Sequence, residues 1–196
     1  MNRKVLIGIG ILVVIVIVAV GVLSIINAPA KHSVKSSTTS IQSNQSYTIL
    51  QAPRIENFSF IASAPVSSSA PSSLDSGLVG GGAFTFSNAH ISGEALFIRV
   101  LEYNGTFAAS TYRSLTSSNS SEFGSGAKLT YLSNLPSGAI GIHVVAPTLN
   151  AYSMSILLNK SVVTIALTLP VNTTITNQTA VSTIIDALNA TENVLK

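Results

Sequence analysis

The stretch Val163-Thr-Ile-Ala-Leu-Thr-Leu169 (VTIALTL) alternates large apolar side chains with small or polar ones. Successive side chains of a β-strand point to opposite faces, so this pattern predicts a strand with one apolar face. Pro170 follows the stretch and ends the strand. The preceding run, Tyr152 to Leu158, alternates in the same way, and Asn159-Lys160 between the two runs predicts a turn. Two runs joined by so short a turn must pair antiparallel.

Further alternating segments upstream predict more strands of the same sheet. Asn104-Gly105 is typical of a hairpin tip because both residues tolerate positive φ, so we expect Glu94–Tyr103 to pair with Thr106–Leu115. Ser92-Gly93 and Pro136-Ser137-Gly138 predict tight turns. The other predicted strands are Tyr47–Leu50, Phe58–Ile61, Ala83–Ser87, Lys128–Leu135 and Ala139–Ala146.

After Pro170 the apolar period becomes helical. One predicted helical face carries Val181, Ile184, Ile185, Leu188 and Leu195. Asn177 or Thr179 is expected to cap its N-terminus. Since the helix is the only candidate to cover one face of the sheet, we predict an α+β fold. It consists of an antiparallel meander of about seven strands, with one C-terminal amphipathic helix packed on the concave face.

The N-terminal segment predicts a membrane anchor. Val5–Ile26 is uncharged over about 22 residues, enough to cross the ~30 Å hydrocarbon core of a bilayer as a single transmembrane helix. The small residues of Ala28-Pro29-Ala30 favour cleavage of a secretory signal instead, but signal peptides have shorter apolar regions. We therefore divide the chain into a cytoplasmic N-terminus (1–4), a transmembrane signal-anchor (5–26), a flexible stalk (27–56) and an extracytoplasmic α+β domain (57–196), within which 64–82 is a low-complexity loop.

The composition agrees with an extracytoplasmic location. Charged residues make up only 9% of the 196 residues, against about 25% in ordinary domains, while Ser and Thr make up about a quarter. Asn-x-Ser/Thr acceptor sequences (sequons) place glycans on the C-terminal side of the anchor, where they would provide solubility. The eight sequon asparagines are Asn44, Asn57, Asn104, Asn119, Asn159, Asn172, Asn177 and Asn189. A chain with so few carboxylates would also tolerate acid, which suits an archaeal-like envelope.

The sequence contains no catalytic, cofactor or metal motif. Without Cys there is no thiolate ligand, thiol nucleophile or disulfide, and no basic run marks a nucleic-acid site. His90 and His143 could form a metal pair with Glu94 or Glu102, but a solvated His is the commoner situation, as for His32 in the stalk. A Ser/His/Asp arrangement is disfavoured because Asp75 and Asp186 lie in a loop and a helix, and Ser125 lacks the strand–turn–helix setting of a nucleophile. Glu94 and Glu102 lie roughly 26 Å apart on one strand, too far for paired glycosidase carboxylates, and Arg99 and Arg113 are not opposite each other in the predicted hairpin.

These features predict a membrane-anchored, N-glycosylated extracytoplasmic binding or accessory protein of the cell envelope that is not an enzyme. Its expected partners are the lipid bilayer, through Val5–Ile26, and an envelope protein, with no nucleic acid. One alternative is a secreted surface-filament subunit, cleaved after Ala30, whose Tyr47–Leu50 segment adds to a neighbour's sheet edge. Another is a carrier that holds a hydrophobic ligand between sheet and helix.

Overall fold

A computed structural model describes residues 51–65, 78–104, 108–109, 112–113 and 126–195. Seven strands form a single antiparallel sheet, and one helix follows the last strand. The elements are β1 (Phe58–Pro65), β2 (Leu78–Asn88), β3 (Ala95–Tyr103), β4 (Lys128–Tyr131), β5 (Ile140–Ala146), β6 (Leu149–Leu158), β7 (Ser161–Leu169) and α1 (Asn177–Val194). The predicted α+β fold is therefore confirmed for the described part of the chain.

The order of the strands across the sheet is β1-β2-β3-β7-β6-β5-β4. Two meanders, β1–β3 and β4–β7, meet where β3 pairs antiparallel with β7, with Ala95 opposite Thr168 and Glu102 opposite Ser161. The predicted hairpin of Glu94–Tyr103 with Thr106–Leu115 is wrong. Both edges of β3 are occupied, by β2 and by β7, and residues 108–109 and 112–113 are helical.

Most of the predicted turns are present. Ser92-Gly93, Ser137-Gly138 and Asn159-Lys160 are turns, and Gly93, Gly138 and Asn159 adopt positive φ. Gly93 requires glycine for a second reason, since a Cβ there would lie 3.0 Å from Cγ of Pro170. These short turns fix which strands are neighbours within each meander.

Helix α1 packs on one face of the sheet, mainly against β7 and β6. The interface is formed by side chains with no measurable exposure, among them Ile184 of the helix, Ile165 of β7 and Met154 of β6. Of the predicted helical face, Val181, Ile184 and Leu188 are buried. The N-cap is Thr176, whose hydroxyl accepts a hydrogen bond from the Thr179 N–H at 3.1 Å, and not Asn177 or Thr179 as the sequence predicted.

Three boundaries differ from the prediction. β1 ends at Pro65 and β2 begins at Leu78, so both strands extend into the predicted loop 64–82, of which residues 66–77 lie outside the described residues. Leu78 and Gly80–Gly82 are buried. The missing side chain at Gly80 leaves room for Glu102 of β3, and that at Gly82 leaves room for the ring of Phe84 on the same strand. Pro53 and Ile55 are buried as well, so the folded domain begins before residue 57.

The face of the sheet opposite α1 (called here the open face) carries hydroxyl side chains beside apolar ones. Ser155 and Thr164 hydroxyls lie 3.0 Å apart across β6 and β7, and half-buried Phe97 lies on β3. The connection from β3 to β4 contacts this face, since Ala108 packs against Leu101 and Val162. Tyr112 of the same connection hydrogen-bonds through its hydroxyl to the carbonyl oxygens of Gly138 and Ser155.

We expect the helix–sheet interface to dominate stability. Ile165→Ala removes a fully buried side chain beneath α1 and should lower the free energy of unfolding by about 2–5 kcal/mol. Val171→Ala, at an exposed position of similar chemistry, should change it by less than about 0.5 kcal/mol. Urea titration of the full chain in detergent, followed by circular dichroism, measures both; equal effects of the two substitutions would contradict this packing.

Candidate functional site

The predicted glycan acceptors lie mostly within the described part of the chain. Asn44 and Asn119 lie outside the described residues. The remaining six sequon asparagines, Asn57, Asn104, Asn159, Asn172, Asn177 and Asn189, are all exposed. Their amide groups therefore reach solvent, as glycan attachment requires.

The six acceptors lie at both ends of the sheet and on the helix. Asn57 precedes β1 with a φ of 64°, and its carbonyl oxygen accepts a hydrogen bond from the Ala89 N–H at 2.9 Å. Asn104 follows β3 and Asn159 turns the chain from β6 to β7, both at the opposite end of the sheet. Asn172, Asn177 and Asn189 lie in the β7–α1 connection and on α1. The described sequons thus leave the strands themselves free of acceptors.

Two asparagines outside sequons have a different role. Asn88, half-buried at the end of β2, accepts hydrogen bonds through Oδ1 from the N–H groups of His90 at 2.8 Å and Ile91 at 3.1 Å. Its Nδ2 donates to Glu94 Oε1 at 3.2 Å. Asn88 therefore organises the β2–β3 turn, because one side chain satisfies two backbone donors and a carboxylate.

Asn150 is buried, with 7% exposure, and connects two parts of the fold. Its Nδ2 donates to the carbonyl oxygen of Thr173 at 2.8 Å, and its Oδ1 lies 3.0 Å from Nε2 of His143. The imidazole of His143 stacks on the ring of Tyr152, with centroids 3.8 Å apart, and the Tyr152 hydroxyl donates to the carbonyl oxygen of Ile175 at 3.4 Å. These contacts tie β5 and β6 to residues 173–175, which lead into α1. No sequence signal pointed to Asn150, because its partners are distant in the chain.

The His90/His143 metal pair is not formed. His143 lies on β5, which is three strand positions from β3, about 14 Å, whereas His90 lies in the exposed β2–β3 turn. The ring of His143 contacts Asn150 and Tyr152 on the helix face of the sheet. Ile140, Ile142 and Val144 of the same strand lie on the open face. In the described ranges, no group of three or more His, Asp or Glu side chains is arranged to hold a metal ion.

The other predicted polar residues are also dispersed. Glu94 and Glu102 lie at opposite ends of β3. Asp186 is exposed on α1, and Asp75 and Ser125 lie outside the described residues. Arg99 lies within β3, opposite Ala83 and Thr164, whereas Arg113 is in the helical turn of the connection and donates through Nε to the carbonyl oxygen of Ala109 at 3.3 Å.

Glu94 is the one carboxylate with a distinctive environment among the described residues. It is 6% exposed, and burial raises the pKa of its carboxyl above the ordinary value, an effect that the hydrogen bond from Asn88 partly offsets. A buried acid with a raised pKa is found at active sites, but it is also found at structural positions. Here its polar contacts are with the β2–β3 turn, which indicates a structural role.

The outer edge of β4 is the most promising binding surface. Leu132 donates its N–H to the Gly141 carbonyl at 2.9 Å, and hydrogen-bonded pairs alternate along an antiparallel ladder. The N–H and C=O groups of Leu129 and Tyr131 therefore point away from β5, and among the described strands none pairs with this edge. The Tyr131 side chain is 61% exposed, and exposed Ile140 and Val145 lie on the adjacent strand.

The opposite edge, β1, is less suited to pairing with another strand. Its register shifts between Phe60 and Ala62, which is a β-bulge, whereas β4 pairs with β5 in continuous register. Bulges twist an edge strand and hinder further pairing. The two sheet edges therefore differ in their capacity for strand addition.

No protein-family model and no curated protein matches this chain. The described part of the chain contains no helix that is long and apolar enough to cross a membrane, and the predicted anchor Val5–Ile26 lies outside the described residues.

The Glu94 carboxyl should produce a measurable pH dependence of stability. Burial raises its pKa above the ordinary value, so between the unfolded-state and the folded-state pKa the folded state binds more protons than the unfolded state. Its contribution is therefore fully present at lower pH and is lost as pH rises through the folded pKa. Glu94→Gln should remove this decline in the free energy of unfolding, measured by urea titration across pH.

Glu56→Gln, at an exposed carboxyl, is the matched control and should preserve the wild-type pH profile. If Glu94→Gln retained the full decline as well, another group would be responsible for it.

Asn150→Ala should reveal the strength of the tie between the sheet and α1. It leaves the Thr173 carbonyl and the His143 imidazole without their partner, and it should lower the free energy of unfolding by about 1–3 kcal/mol. Thermal melts of the full chain measure this effect. Asn193→Ala, at an exposed position near the end of α1, should change the melting temperature little. Similar melting temperatures for the two variants would argue against a stabilising network.

Proposed function

We propose that this chain is a membrane-anchored, N-glycosylated binding or accessory protein of the cell envelope, with its folded domain outside the cell membrane and no enzymatic activity. The observation that supports the proposal is that all six described sequon asparagines are exposed. Of the four described asparagines outside sequons, Asn134 and Asn193 are exposed as well, whereas Asn88 is half-buried, Asn150 is buried, and both are hydrogen-bonded within the protein.

Two further features support this proposal. The uncharged Val5–Ile26 segment provides a route to the bilayer, with the N-terminus inside. The chain is rich in Ser and Thr and poor in charged residues, so glycans would supply much of its solubility.

The binding function is assigned to the β4 edge. Unpaired main-chain groups of an edge strand accept an extended segment of another protein, and neighbouring side chains select it. The outward groups of Leu129 and Tyr131, with the exposed ring of Tyr131, provide these two components. An envelope protein with an extended apolar segment is the partner that this edge would suit.

The same edge favours the filament alternative as the second candidate. In that case the chain is cleaved after Ala30, and Tyr47–Leu50 of one copy adds to the β4 edge of the next. The carrier alternative receives less support, because Met154, Ile165 and Ile184 meet directly between sheet and helix.

Membrane extraction and the intact mass of the native protein test the proposal. We expect the protein to remain with the membrane after an alkaline wash, to begin before Val5 and to exceed its 20.3 kDa polypeptide mass by the mass of its glycans. A chain that begins at Lys31 and is released without detergent would replace the anchored function with the filament alternative. An unglycosylated polypeptide mass would remove the glycoprotein assignment.

Removal of a single acceptor should leave the fold unchanged. Because Asn172 is exposed, Asn172→Gln should reduce the mass by one glycan and change the free energy of unfolding by less than about 0.5 kcal/mol. Asn134→Gln, at an exposed asparagine outside any sequon, controls for the loss of an Asn and should leave the glycan mass unchanged. A mass loss in the Asn134 variant would show that glycans are attached without a sequon.

A further inference from the structure

The sequons differ in the exposure of their second recognition group. The acceptor sequence requires Ser or Thr two residues after Asn, so the transferring enzyme must read that hydroxyl as well as the amide. An exposed asparagine is therefore a usable acceptor in the folded protein only if the hydroxyl two residues later is accessible too. In the structure, some sequons expose the asparagine but bury the residue that carries the hydroxyl.

The sequon on α1 has an exposed asparagine and a buried hydroxyl. Asn189 is exposed, but Thr191 is only 1% exposed, and its Oγ1 donates to the Ala187 carbonyl oxygen at 2.7 Å within the helix. Reading this hydroxyl would require breaking that hydrogen bond and lifting the last turns of α1 from the sheet. Ala187 and Leu188, which immediately precede Asn189 on α1, are also buried.

The sequon in the β6–β7 turn has the same property. Asn159 is exposed, whereas Ser161 is 8% exposed and begins β7, opposite Leu158 on one side and Glu102 on the other. Ser161 is the first residue of β7, and β6 and β3 flank it on its two sides. With only 8% of its surface exposed, Ser161 offers an enzyme little access to its hydroxyl in the folded domain.

In two other sequons, both the asparagine and the Ser or Thr two residues later are exposed. Asn172 and Thr174 are both exposed in the β7–α1 connection. Asn57 and Ser59 are both exposed, and Ser59 lies on β1, which has one neighbour among the described strands. Asn177 is intermediate, since the exposed Thr179 hydroxyl lies 2.8 Å from that of Thr176 in the N-terminal turn of α1.

We propose that the chain contains two kinds of glycan acceptor: Asn159 and Asn189 accept a glycan only before the domain folds, whereas Asn57 and Asn172 also accept one afterwards. This inference rests on the proposed function, because it presupposes that the chain meets an oligosaccharyltransferase. Glycans at Asn159 and Asn189 would be compatible with the finished fold, because both asparagines point to solvent. Glycans found at these two asparagines would, however, have been attached before the domain folded.

The chemical step is the same at every acceptor. The asparagine Nδ2 forms a bond to the anomeric carbon of a sugar carried on a lipid-linked phosphate or pyrophosphate. The bond between that carbon and the phosphate oxygen breaks, and the phosphate leaves with the electron pair. The amide nitrogen releases one proton to the solvent, so the products are the N-glycosylated asparagine, the lipid-linked phosphate or pyrophosphate and a proton. Only access to the enzyme differs among the sites.

The test uses the full chain, produced without N-glycosylation and purified folded in detergent. It is incubated with an oligosaccharyltransferase and its lipid-linked oligosaccharide, and glycopeptide mass spectrometry gives the initial rate at each asparagine. The ratio of the rate at Asn189 to the rate at Asn172 in the same molecules cancels differences in enzyme and donor. We expect this ratio to be below about one tenth in the wild type, because access to Thr191 requires opening of a packed helix.

Two matched substitutions on α1 establish the cause. Ile184→Asp places a charge in the helix–sheet interface and leaves the sequon intact, so it should raise the Asn189 rate at least about tenfold, whether α1 detaches locally or the domain unfolds. Ser182→Asp places the same charge on the exposed side of the helix and should retain the wild-type ratio.

Comparable rates at Asn189 and Asn172 in the folded wild type would overturn the inference and leave the proposed function intact. An Asn189 rate that stays low in Ile184→Asp would also overturn it, because burial would then not be the cause. If no site were modified in any variant, including Asn172, both the inference and the glycoprotein assignment would fail.

Discussion

The antiparallel pairing of β3 with β7 is the contact on which the rest of the structure depends. It joins two meanders that are each assembled through short turns, and it brings together Ala95 and Thr168, 73 residues apart, where the Thr168 hydroxyl donates to the Ala95 carbonyl at 3.2 Å. Closing so long a loop costs conformational entropy, which the apolar strands must offset when they are buried. Leu96, Ile98, Ile165 and Leu167 on these two strands are without measurable exposure.

The helix α1 docks on the β4–β7 meander, beside this pairing. Its buried residues rest on β6 and β7, and the connection that leads to it is tied down by Asn150 and Tyr152 on β6. The polar network around Asn150 therefore belongs to the architecture and holds the start of α1 over the sheet. The buried Thr191 hydroxyl, near the other end of α1, follows from the same docking.

Different parts of the candidate site were predictable to different degrees. The sequon asparagines could be found by pattern, and their exposure follows because polar asparagine side chains in turns and on the outer side of a helix are seldom buried. The roles of Asn88 and Asn150 could not be found, since their partners are brought together by the turn geometry and by the β6–α1 contact. The exposed β4 edge was also unpredictable, because a strand's place in the sheet order is not encoded in its own alternation.

The sequence by itself determined the strand periods, the tight turns at Gly93, Gly138 and Asn159, and the C-terminal amphipathic helix, because these depend on local side-chain spacing and backbone preference. Only the tertiary structure decided that β3 pairs with β7. The local Asn104-Gly105 signal favoured a hairpin, but a strand has two edges, and β2 and β7 occupy both edges of β3. Only the tertiary structure, too, placed His143 on the helix face and Ile142 on the open face, since alternation distinguishes two faces without saying which one a helix will cover.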